Sequence, residues 1–140
     1  MKKLFALVAM SAFALCLFGC SGGGEEAVEE KKPADLTGTW VQTNSNSEDS
    51  YQEAVISDGY IEINWVGVDT KSLYWAGDYV APTTADEPYV WTSTNDRSKT
   101  DTALLASTAE TKDFTYEDGE LSYEASALGT TMTVRMERQE

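Results

Sequence analysis

The side chains able to do chemistry are few in this chain. There is no histidine, and the only cysteines are Cys16 and Cys20. Without histidine the sequence lacks the commonest general base and the commonest transition-metal ligand. Covalent catalysis needs a nucleophile beside a base that a third group orients. The Ser-Lys neighbours, Lys71-Ser72 and Ser98-Lys99, are adjacent in sequence, and on a strand adjacent side chains point to opposite faces. Carboxylates are abundant, with 24 Asp and Glu residues, and two could flank a glycosidic bond; at that density some pair meets by chance. The oxygen-rich run Asn44–Asp49 could offer ligands to calcium, but it lacks the spacing and the glycine of a calcium loop. In Asn95–Asp101, Arg97 and Lys99 would compete with any bound cation. No catalytic residue, metal ligand or cofactor is therefore assigned, and the chain is expected not to be an enzyme. The Cys20 thiol is the one group whose setting suggests a reaction.

That setting is a basic start, Lys2-Lys3, followed by fifteen residues, Leu4–Phe18, in which Ser11 is the only polar side chain. A membrane-spanning helix needs about 20 apolar residues. A short apolar run after positive charge, ending at the small residue Gly19, reads instead as a secretory signal peptide. Leu17-Phe18-Gly19-Cys20 resembles the lipobox of bacterial lipoproteins. Leu17, Gly19 and Cys20 match its pattern, and Phe18 stands where that family usually has a small or β-branched residue. The resemblance implies that residues 1–19 are removed and that Cys20 receives a diacylglyceryl group through its thiol. Two acyl chains suit stable anchoring, because one chain alone gives only marginal membrane binding. The expected location is the extracytoplasmic side of the cell membrane. Cys16 would leave with the signal, so no disulfide is available and the exported domain must stand on its core.

Residues 20–35 read as the lipidated N-terminus and a flexible linker. Three glycines and four glutamates with no apolar cluster do not drive collapse, and about 15 such residues average roughly 20 Å end to end. Beyond Cys20 all 24 acidic side chains remain against eight basic ones. That surplus argues against binding nucleic acid phosphates or anionic lipid by electrostatics.

One domain, 36–140, is left, a usual single-domain size. Its pattern alternates with a period of two. Ile61, Ile63 and Trp65 share one face against Glu62 and Asn64. Leu121, Tyr123 and Ala125 oppose Ser122 and Glu124, and Met132, Val134 and Met136 oppose Thr133 and Arg135. Asp58-Gly59 and Asp118-Gly119 are hairpin turns between such runs. Further strands are expected at Leu36–Thr43, Tyr51–Ser57, Ser72–Ala81, Tyr89–Thr94 and Lys112–Glu117, with Leu36 and Trp40 on one face. Gly77 suggests a bulge or bend, and Thr102–Ser107 is open between a strand and a helical turn. The fold class is all-β: an antiparallel meander of about eight short strands forming a small barrel or a sandwich. Closure would remove exposed edges.

Leu36-Thr37-Gly38-Thr39-Trp40 resembles the Gly-x-Trp opening of lipocalin-like barrels, in which the Trp closes one barrel end. Over its whole length the chain is similar to short lipoproteins of Gram-positive bacteria and their phages. For binding, Tyr74, Trp75, Tyr79, Tyr89 and Trp91 cluster along two strands and the loop between them, and aromatics are enriched at protein-binding hot spots. Trp75 and Trp91 are expected in the core. Tyr74, Tyr79 and Tyr89 form the candidate binding surface. The function expected is a membrane-anchored, non-catalytic interaction module at the cell envelope with a protein partner. The alternative is a lipocalin-like carrier of a small apolar ligand.

Overall fold

A computed structural model describes residues 32–127 and 129–140. The expected signal segment, Cys20 and most of the expected linker lie outside the described residues. Residues Pro33–Glu140 form one compact unit. It begins slightly before the expected boundary at Leu36: Asp35 accepts hydrogen bonds from the Thr37 N–H and hydroxyl, and Ala34 packs on the core.

Among the described residues there are eight strands: β1 (Gly38–Gln42), β2 (Tyr51–Ser57), β3 (Tyr60–Val66), β4 (Lys71–Asp78), β5 (Tyr89–Thr94), β6 (Thr111–Glu117), β7 (Glu120–Ala127) and β8 (Thr130–Arg138). A four-residue helix, α1 (Arg97–Thr100), follows β5. The strands form one antiparallel sheet in the order β4-β3-β2-β1-β8-β7-β6-β5. Two four-stranded meanders thus join through the β1–β8 ladder, where Trp40 pairs with Arg138. The free edges, β4 and β5, come back together and nearly close a barrel. One bridge links Gly77 and Asn95, and the Asp96 N–H donates to Ala76 C=O at 2.7 Å. Side chains complete the closure: Trp75 Nε1 donates to Ser93 Oγ at 3.1 Å, and Thr94 N–H donates to Asp78 Oδ1 at 2.5 Å.

Local sequence accounts for the tight turns. Asp58-Gly59 and Asp118-Gly119 both hold positive φ at both central residues, 50° and 75° in the first and 50° and 83° in the second. That is the mirror-image turn whose twist matches paired strands. Asp96 caps α1, its carboxylate accepting from Ser98 N–H at 3.1 Å. Thr102–Ser107 forms turns rather than either expected element.

The strands' inward faces supply the core. Leu36, Trp40, Ile56, Ile61, Ile63, Trp75, Phe114, Leu121 and Met136 are fully or almost fully buried. Trp40 reaches back to donate from Nε1 to Leu36 C=O at 2.9 Å, and the Arg138 guanidinium lies 5.1 Å from its ring. The expected bulge in β4 is present, but not at Gly77. Ile63 pairs with Trp75 while Asn64 pairs with Leu73, so Tyr74 is the extra residue. Leu73 and Trp75 therefore do not share a face. The glycine serves instead for close approach of β4 and β5: a Cβ at Gly77 would lie 2.5 Å from the Thr94 carbonyl oxygen and nearer still to Ser93 Oγ.

Candidate binding site

The aromatic cluster read from the sequence exists, but as core. Tyr74 and Tyr79, expected on the surface, are 2% and 7% exposed. The bulge carries Tyr74 inward, where its ring meets Trp65 edge-on at 5.5 Å. Tyr79 follows β4 and folds edge-on against Trp91 at 5.0 Å. Tyr89 is half-buried against the core, and its hydroxyl donates to Val80 C=O at 2.5 Å. Tyr89, Trp91, Phe114 and Tyr123 form a column of rings with centroids 6.0, 4.9 and 5.1 Å apart. Offset and edge contacts of this kind add to the stabilisation that area alone gives. Trp75 and Trp91 are buried as expected. The three tyrosines therefore do not make an exposed patch.

At the end of the ring column the interior turns polar. Gln52 is fully buried; its Oε1 accepts a hydrogen bond from the Tyr123 hydroxyl, and its Nε2 has no partner. Burial pushes the Tyr123 hydroxyl pKa well up, with Tyr74 adding to the effect. Tyr123 thus stays a neutral donor. Lys112, half-buried, points in from β6 beside them. Its Nζ donates to the Tyr74 hydroxyl at 3.0 Å and to Glu124 C=O at 2.8 Å. The ammonium sits 5.1, 5.2 and 5.9 Å from the ring centroids of Tyr74, Trp75 and Tyr123, within reach of the attraction between a cation and an aromatic face. None of the four ion pairs among the described residues includes Lys112.

Lys112 bridges a seam in the barrel wall. The β6–β7 ladder covers only Thr115–Glu117 against Glu120–Ser122. β5 holds β6 from Thr111 to Tyr116, and β8 holds β7 along its whole length. Beyond Thr115 and Ser122 the two pairs splay. Antiparallel strands direct the N–H and C=O of alternate residues to one neighbour and of the rest to the other. Because Glu124 C=O meets Lys112 across the seam, the peptide groups of Glu124 and Ser126 face it from β7. By the same alternation from Thr115, those of Thr111 and Asp113 face it from β6. The opening is a groove of about 570 Å3, whose outer walls carry Thr, Ser and the carboxylates of Asp113 and Glu124.

A phase signal for the cluster was present in the sequence and was missed. Lys112 lies in register with Phe114 and Tyr116, and Gln52 with Ala54 and Ile56, so each puts a polar side chain on an apolar face. Several polar groups of the two oxygen-rich runs weighed for calcium are bonded within the protein. Asn44 donates to Thr133 C=O and accepts from Arg135 N–H, the single Ser45 hydroxyl proton is shared between Ser47 C=O and Ser50 C=O, and Arg97 pairs with Asp101 at 2.6 Å. Among the described residues no three His, Cys, Asp or Glu side chains converge as a metal site, and no helix is long and apolar enough to cross a membrane. No protein-family model, curated protein or solved structure matches the chain.

Proposed function

We propose that the chain is a lipid-anchored, extracytoplasmic binding module without catalytic activity, held at the cell membrane through Cys20 and offering its β-barrel to a protein partner. The anchor rests on the lipobox-like Leu17-Phe18-Gly19-Cys20 behind a short apolar run. The observation that carries the binding role is the seam between β6 and β7. A barrel filled with large side chains leaves its wall open between β6 and β7, and that opening holds a cation beside Tyr123, behind which the Gln52 amide is buried without a partner. Folded proteins rarely leave buried polar groups unpaired, so an opening of this composition suits a ligand.

The anchor is tested by metabolic labelling with palmitate and by fractionation of cells expressing the full chain. The expected result is a labelled protein in the membrane fraction that has lost residues 1–19, with Cys20→Ser unlabelled and retaining them. An unlabelled wild-type chain that keeps residues 1–19 overturns the anchor.

A second reading, a lipocalin-like carrier of a small apolar molecule, draws on the up-and-down barrel and on a smaller groove of about 200 Å3 lined in part by Trp65, Met132 and Val134. It predicts that a fatty acid quenches Trp fluorescence with one-to-one stoichiometry and that Met132→Lys abolishes the quenching.

A further inference from the structure

We propose that the seam binds the C-terminal end of an extended peptide, with the free carboxylate seated at Lys112 and the peptide backbone paired to the lips of β6 and β7. The inference rests on the binding-module reading and names its ligand; it does not depend on the lipid anchor.

Two separate features of the seam point to this ligand. The first is the donor set of the inner cluster. Lys112 uses two of its three N–H groups, on Glu124 C=O and the Tyr74 hydroxyl, leaving one. The Tyr74 hydroxyl accepts from Lys112 and retains its own proton to donate. Gln52 Nε2 is buried with both N–H groups unpaired. The unused protons sit on an ammonium, a hydroxyl and an amide, so the fitting partner is an acceptor, and the ammonium favours one that is anionic. A carboxylate meets that description, and a charge-assisted bond to an ammonium is stronger than a neutral one. The domain itself supplies no carboxylate to Lys112, although acidic side chains outnumber basic ones by 24 to 10 in the chain.

The second feature is the pair of lips. Thr111 and Asp113 on one side, and Glu124 and Ser126 on the other, present backbone donors and acceptors in alternation and are not paired to each other; of these the Glu124 C=O already accepts from Lys112. An alternating row of N–H and C=O groups is matched by another extended backbone, which is how peptides add to open sheet edges. A small carboxylate would satisfy the cluster but leave the lips open. A strand without a carboxylate would satisfy the lips but leave the cation alone.

The outer walls refine the ligand further. Asp113 and Glu124 lie outside the lips, and the chain carries a net charge of −14. An anionic peptide would be repelled on approach. The ligand therefore carries Lys or Arg among the residues just before its C-terminus, with those side chains turned outward toward Asp113 and Glu124.

The test uses the chain from residue 20 with Cys20→Ser, which leaves the whole barrel intact, and a library of random seven-residue peptides made twice, with free and with amidated C-termini. The expected result is selection of peptides that carry a free carboxylate and a penultimate or nearby basic residue. Amidating a selected peptide should weaken binding at least about tenfold, the worth of one charge-assisted hydrogen bond, and Lys112→Met should weaken it equally. Ser126→Pro removes a lip N–H without touching the cluster, and edge strands tolerate proline; it should weaken all selected peptides, free or amidated. Selected peptides that bind equally well when amidated, or that bind Lys112→Met unchanged, overturn the carboxylate site while leaving the binding-module reading in place. Failure of both libraries to yield any binder overturns the peptide ligand and the seam's binding role together.

Discussion

Replacing Gly77 with alanine puts a methyl group into the place where the barrel closes. The new carbon would stand 2.5 Å from the Thr94 carbonyl oxygen, nearer to Ser93 Oγ, and 2.9 Å from Trp75 Nε1. Two of these are side-chain atoms of buried residues and one is backbone, so no flexible end can swing aside. Overpacking a filled site costs about 1–3 kcal/mol. Separating Trp75 from Ser93 also gives up a buried hydrogen bond, worth about 1 kcal/mol. The sum, about 3 kcal/mol, is a large share of the 5–15 kcal/mol typical of a domain, and for a domain of this size it lowers Tm by about 15 °C. Thermal unfolding followed by near-ultraviolet circular dichroism reads the shift, and hydrogen exchange locates it. The Asp96 N–H, which bridges to Ala76, should lose protection before any amide of the β7–β8 ladder. Gly119→Ala is the control. Its φ is +83° but nothing lies within 4 Å of the added carbon, so its cost is the left-handed backbone alone, about 1–2 kcal/mol. A Gly77→Ala chain that melts within about 4 °C of the parent, or that loses no more than Gly119→Ala, would refute the claim that close approach of β4 and β5 closes the barrel.

Two further outcomes concern pH. The Asp96 carboxyl is held below its ordinary value of 3.8, first by the Ser98 hydroxyl and then by the Tyr60 hydroxyl, so its contribution to stability is present above that value and disappears as pH falls through the lowered one; Asp96→Asn should shrink the drop in Tm between pH 6 and pH 3, and an unchanged drop would remove Asp96 from the account. The Tyr123 hydroxyl is raised above 10 by burial, so its stabilising effect is intact below pH 10 and declines as pH rises beyond it; absorbance at 295 nm should show that tyrosine ionising only as the barrel unfolds, and Tyr123→Phe should lose less stability than the parent between pH 9 and pH 11.5.

Much of the fold was legible because its signals are local. Period-two alternation marked the strands, and the two Asp-Gly pairs marked the β2–β3 and β6–β7 hairpins, since positive φ at those positions is a property of the dipeptide. The positions of Tyr74 and Tyr79 were not legible. Alternation assigns faces only while the register holds, and the extra residue in β4 reverses the assignment at Tyr74. No local rule announces that shift, because it depends on how β3 and β4 twist across the barrel. Tyr79 lies just past the strand, where the path of the loop decides. For the seam, half of the signal was present in the phase of Lys112 and Gln52. The other half, where the β6–β7 ladder stops, depends on competition between two ladders that each hold one lip, and that competition is not written in either strand. Gly77 was noticed for its type but given the wrong role, since a close approach comes from a strand distant in sequence.

The pairing of β1 has a mechanical consequence. This first strand lies between β2 and β8, antiparallel to both, with four register pairs on one side and three on the other. The chain enters it at Gly38, beside the Arg138 side chain at the end of β8, whereas Ser126 on the seam lies opposite Thr131 near the start of β8. Seven residues of strand separate Thr131 from Arg138, about 23 Å at the usual rise. In a chain tethered through its N-terminus and gripped at the seam, tension would run lengthwise through the barrel and pull β1 along its own axis. The hydrogen bonds on both its sides lie across that direction, so they bear the load together instead of parting one by one. Resistance to forced unfolding is a matter of rate, and loading in shear is the geometry that slows it. In a chain so tethered, β1 would be the strand placed to carry the pull.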